Sequence, residues 1–178
     1  MTILTNSLTQ KGSKQKTIAQ IKKTEKQALW ISLWSFFPKQ IENLSLLEKR
    51  LSYTFKNKNL FFEAFTHRSA ITWYEQHVLK NLKKEEEHNF RWNEKLEFLG
   101  DSVLSFIITN YLWNNAPDLN EGQLSKQRSQ LVKEETLVSV AKTLDLKNIL
   151  ITGPELMVSD QIKSEALLAD SLEALLGA

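Results

Sequence analysis

Residues 93–114 constrain the fold of this chain more than any other stretch. They read as one long helix that, after Asp101, is apolar nearly all the way round: Val103, Leu104, Phe106, Ile107, Ile108, Tyr111, Leu112 and Trp113. A helix apolar on every side is expected at the buried centre of a domain. The first turns carry the opposite chemistry. Glu94, Glu97 and Asp101 stand three and four residues apart and so share one face. Like charges at that spacing repel, and burial raises the cost. A divalent cation is the simplest group that offsets such repulsion.

The rest of the chain agrees with a helical surrounding. Only five glycines and three prolines interrupt 178 residues, so an all-α fold is expected. Firm helical periodicity starts near residue 43, with stripes at Leu44, Leu46, Leu47 and Leu51, then Leu60, Phe61, Phe62, Ala64 and Phe65. Residues 74–92 read as an insertion, where lysines and glutamates cancel in a solvated loop or frayed helix. Pro117 follows the long helix. Asn120 with Gln123 forms a capping-box pattern that opens the next helix, and an amphipathic helix is expected over 134–144. Gly153-Pro154 marks a break before a last helix over 164–178. No internal repeat is evident.

That last helix carries a second acidic pair, Asp170 and Glu173, three residues apart among leucines and alanines. One such pair alone ordinarily belongs to a solvated helix surface. Two pairs, each bracketed by core-type residues, can supply four oxygen ligands if their helices pack side by side. Hard oxygen ligands select Mg²⁺, with Mn²⁺ as a substitute. Such ions activate water and stabilise charge on phosphoryl oxygens. A di-iron bundle requires Glu-x-x-His on two helices, and of His67, His77 and His88 only His88 has a glutamate, Glu85, at that spacing, so the pair is not supplied.

The stretch Asn93–Leu104 resembles the signature of the ribonuclease III family, an Asn/Asp-Glu-Arg-Leu-Glu-Phe-Leu-Gly-Asp run, with Lys95 in place of arginine. Tyr53–Asn57, Phe65–Ser69, Glu121–Lys126 and Leu167–Leu175 resemble further blocks of that family in the right order, so the resemblance covers about residues 43–178. It implies an all-α endonuclease domain that works as a homodimer and hydrolyses double-stranded RNA, leaving 5′-phosphate and 3′-hydroxyl ends, with processing of rRNA or mRNA as the expected role. It assigns Glu97, Asp101, Asp170 and Glu173 to the Mg²⁺-binding carboxylates, with Asp101 and Glu173 catalytic. Glu94 and Glu121 match accessory acidic positions, and Phe98 matches an aromatic that enters the partner subunit. Gln123, Ser125, Lys126 and Arg128 lie beside Glu121 and are candidates to line the RNA path. His67 and Arg68 are expected at a helix end in a structural role. The family's last helix usually runs a few residues beyond the position of Ala178, and a double-stranded-RNA-binding domain is not among these residues, so the expectation is either a fragment of a longer protein or a reduced form without that module.

Composition bounds the remaining possibilities. A net charge of +2 is too small to mark a nucleic-acid binder by itself, and the absence of cysteine excludes disulfides and thiolate metal sites. Residues 1–42 are expected to form a basic N-terminal extension. Its first 26 residues hold six lysines against Glu25 and read as a disordered tail, with added affinity for RNA phosphates or an organelle transit peptide as alternatives. The apolar run 28–37 is too short to span a bilayer and reads as a short helix ended by Pro38. No membrane association is expected, and the cytoplasm is the expected compartment. The competing function is a catalytically idle relative acting as an RNA-binding or ribosome-associated structural protein. Such a relative is expected to have lost one or more of the four carboxylates, and this chain keeps them all.

Overall fold

The computed structural model describes residues 32–81, 90–154, 156 and 162–178. The expected basic tail at 1–26 lies outside the described residues. The chain divides into a unit ending at Phe36, of which a helical turn at 32–35 is described, and a unit from Phe37 to Ala178. The second unit holds the whole acidic constellation.

Pro38 opens the first helix of that unit, α1 (Pro38–Leu51), at a position where a missing N–H costs nothing. Leu44 and Leu47 face inward. The helix ends at Ser52 in the left-handed conformation, where the Ser52 and Tyr53 N–H groups donate back to Lys49 O at 3.2 Å and Glu48 O at 3.1 Å. Helix α2 (Lys58–Ala64) is capped by the Asn57 side chain, which accepts from the Asn59 N–H, and its Phe61 stacks on Phe55. Helix α3 (Arg68–His77) starts at His67, whose Nδ1 accepts from the Ser69 N–H at 3.1 Å. His67 thus takes the helix-end role its position suggested.

A short extended piece before α3 ties three parts of the molecule together. Ile151 N donates to Phe65 O at 2.8 Å, His67 N to Ile151 O at 2.9 Å, and Asn93 N to Thr66 O at 3.1 Å. The Thr66–Ile151 bridge is the one β-type pairing among the described residues. It sets the start of the next helix, α4 (Glu94–Asn115), beside the start of α3.

Helix α5 (Glu121–Leu131) opens with the expected capping box: Gln123 N donates to Asn120 Oδ1, and Asn120 N to Gln123 Oε1, both at 3.0 Å. Helix α6 (Glu134–Thr143) buries Leu137, Val138 and Ala141. Helix α7 (Ile162–Gly177) packs most extensively on α4 and then on α6. Its Leu168, Ala169, Leu172, Ala174 and Leu175 complete the core with Leu96, Leu104 and Leu112 of α4.

Two expectations need correction. The insertion begins later than residue 74. Residues through His77 belong to α3, and Tyr74 is a core residue packed edge-on against Phe90 with ring centroids 5.8 Å apart. The second correction concerns α4, which is not buried all round. Phe98, Phe106 and Trp113 are 80%, 71% and 73% exposed, with Leu99, Ile107 and Tyr111 also open to solvent. Apolar content alone does not say whether the covering surface belongs to the same chain.

Candidate active site

Helices α4 and α7 cross in opposite directions at two glycines. A Cβ on Gly100 would lie 1.7 Å from the Glu173 carbonyl oxygen, and one on Gly177 would lie 2.2 Å from that of Leu96. Only glycine lets the two backbones approach so closely, so both positions serve packing. The crossing has a chemical consequence. It forces Glu97 and Asp101 of α4 toward Asp170 and Glu173 of α7.

The proton affinities register that proximity. Partial burial, then the charges of Asp101, Glu97 and Asp170, push the Glu173 carboxyl up to about 7. Burial raises Glu97, with Asp170 and then Glu94 adding repulsion. Asp170 is raised by burial and then by Glu134. The four carboxylates expected to act together thus repel one another across the crossing, and Glu94 joins them from one turn earlier on α4.

Among the described residues, no three acidic or histidine side chains converge closely enough to grip an ion as they stand. The close backbone approach at Gly100 and Gly177 is what defines the site. The donor set is oxygen throughout and carries a surplus of negative charge. Both properties suit a hard divalent cation.

The other candidate residues lie apart from this cluster. Glu121, on α5, accepts from Ser125 Oγ at 3.2 Å and lines an open groove of about 370 Å³ with Leu112, Trp113, Leu124 and Arg128. Arg128 donates to Thr109 Oγ1 at 3.3 Å, which braces α5 against α4, and Gln123 is held in the capping box. Of the four residues considered for the RNA path, only the Lys126 side chain makes no hydrogen bond or ion pair with a described residue. Phe98 projects from α4 into solvent beside the acidic edge.

Glu134 is the acidic neighbour that sequence reasoning missed. It stands in the first turn of α6, where an acid is the ordinary complement to the helix dipole. Nothing local distinguishes it. Only the packing of α6 on α7 brings its charge to Asp170.

The chain is similar to known proteins. Residues 57–178 match the family model described as ribonuclease-III-like. The chain is 39% identical over 138 residues to ribonuclease 3 of Shewanella denitrificans, covering 78% of this chain and 53% of that protein. It is 39% identical over 132 residues to ribonuclease 3 of Proteus mirabilis, covering 74% of this chain and 50% of the other. The chain therefore spans about half the length of these relatives. Among solved structures, the nuclease domain of ribonuclease III from Campylobacter jejuni is similar in two structures, each 33% identical with a TM-score of 0.58. They cover 74% and 78% of this chain and 80% and 81% of their own, and one is described as showing structural flexibility in a region involved in dimer formation. This chain belongs to the ribonuclease III family.

Proposed function

We propose that this chain is the catalytic domain of an endoribonuclease that hydrolyses double-stranded RNA with Mg²⁺, leaving 5′-phosphate and 3′-hydroxyl ends. The observation that carries the reading is the glycine crossing of α4 and α7, where Glu173 is pushed up to about 7 by its acidic neighbours. A structural surface has no need to hold four carboxylates in mutual repulsion. A phosphodiester hydrolase does, and the names of the relatives point the same way.

Glu97, Asp101, Asp170 and Glu173 are the residues that would hold the ion. When bound, Mg²⁺ lowers the pKa of a coordinated water and neutralises charge on the phosphoryl oxygens. The chain's own contribution is positioning and proton control. Gly100 and Gly177 lock the two helices so that the carboxylates keep their places. Glu173 shares its proton with solvent near neutrality and gives it up when positive charge arrives beside it. A-form RNA hides its base edges in a deep, narrow groove, so the substrate is read by shape and phosphates.

The exposed apolar face of α4 fits a homodimer centred on Phe98. Two sites on one two-fold assembly then cut one strand each. Among the described residues no helix is long and apolar enough to cross a membrane.

The test is cleavage of a long RNA duplex in Mg²⁺, compared with Ca²⁺ and with Glu173→Gln. The wild type is expected to cut in Mg²⁺ or Mn²⁺ and the variant to bind without cutting. Duplex binding by the wild type with no cleavage in either ion would establish an idle RNA-binding protein instead.

A further inference from the structure

The acidic site poses a problem for its own substrate. Glu94, Glu97, Asp101, Asp170 and Glu173 gather negative charge at the crossing of α4 and α7, and RNA is a polyanion. An adjacent feature answers it. At the start of α4 a separate groove of about 240 Å³ is lined by Phe90, Arg91, Trp92, Glu94 and Lys95. Its frame is tied to the start of α3, because Asn93 N donates to Thr66 O at 3.1 Å within the tie that also holds Ile151.

Among the described residues, the cations of this groove have no charge partner. Arg50, Lys58, Lys133 and Lys142 each meet an acidic partner, whereas Arg91 and Lys95 make no ion pair or side-chain hydrogen bond with a described residue. Both are exposed, and Trp92 between them is half-buried. An arginine fork and a lysine ammonium beside an aromatic wall suit a sugar–phosphate backbone, with the phosphate on the cations and the ribose against the ring. Glu94 shares the groove and leaves it a net single positive charge, so a bound phosphate lies toward Arg91 and Lys95. The rise of an α-helix, about 1.5 Å per residue, puts the groove roughly 10 Å from Asp101 along α4. That is the scale of a few nucleotides.

We propose that Arg91, Trp92 and Lys95 form a phosphate–ribose subsite that holds the RNA strand a short distance from the scissile bond. The subsite rests on the endoribonuclease reading, and it is distinct from the α5 residues considered for the RNA path.

The experiment compares wild type, Arg91→Ala/Lys95→Ala and the charge-matched control Lys49→Ala/Lys147→Ala. Each is measured for duplex cleavage in Mg²⁺ and for duplex binding in Ca²⁺ across a salt series. Circular dichroism and thermal midpoints confirm that the exposed substitutions leave the fold intact. The subsite variant is expected to raise KM and Kd about tenfold, to leave kcat within about threefold, and to lower the salt slope by about 2. The control is expected to change each by less than about twofold. Equal losses in both double variants, unchanged binding in the subsite variant, or a fall in kcat at constant KM would each overturn the subsite while leaving the nuclease reading standing. A wild type that neither binds nor cuts duplex would overturn both.

Discussion

Helix α4 shows two faces that the chain treats in opposite ways. One face is locked against α7 by backbone contact at Gly100 and Gly177 and carries carboxylates that repel across the seam. The other presents Phe98, Phe106 and Trp113 to solvent without cover from the described chain. The first is a rigid, electrostatically strained surface, which suits a site that must hold geometry while charge changes. The second is an apolar surface available for assembly. The contrast teaches that packing and chemistry are coupled on the inner face and separable on the outer one.

Substitution at the glycine crossing is the strongest way to break that contrast. Gly100→Ala places a methyl group where the Glu173 carbonyl stands, so the helices must separate. A loss of about 3 kcal/mol in denaturant unfolding is expected, together with loss of cleavage. Unchanged stability would show that the crossing is not rigid.

Glu173→Gln divides chemistry from packing on the inner face. Cleavage is expected to fall about 100-fold or more, while the fold gains stability at alkaline pH. The sign follows from the raised proton affinity. The folded-state value, about 7, exceeds the ordinary 4.5, so folding favours the protonated acid. That contribution is fully present below the unfolded value and is lost as pH rises through about 7. Without divalent cations, the thermal midpoint of the wild type should drop more between about pH 5 and pH 8 than that of the variant, by about 2–4 °C.

The outer face calls for the gentlest change. Phe98→Ala removes an exposed side chain, so monomer stability should move by less than about 0.5 kcal/mol. Self-association measured by sedimentation should weaken about tenfold or more. A folding defect without a change in association would assign Phe98 to the core of its own subunit.

Much of this was legible in the sequence because much of it is local. The 93–114 helix, the Asn120–Gln123 capping box and the two acidic pairs are set by spacing within a turn or two, and α4 spans Glu94–Asn115. The packing role of Gly100 and Gly177 becomes intelligible only with the antiparallel crossing. What escaped was set by contacts distant in sequence. Glu134 looked like an ordinary first-turn acid until α6 packed on α7, and Tyr74 looked like part of a polar insertion until Phe90 covered it. The exposure of Phe106 and Trp113 escaped for a different reason. The pattern of a buried helix and that of a helix awaiting a partner are the same pattern.

The central claim is that Glu97, Asp101, Asp170 and Glu173 act as one cation-holding unit. Calorimetric titration of Mn²⁺ into the wild type and Glu173→Gln at pH 6 and pH 8 tests it most directly. The account predicts tighter binding by the wild type at pH 8, with protons released on binding near neutrality, and loss of most of that affinity in the variant. Equal affinity in both proteins, with no proton release, would contradict it.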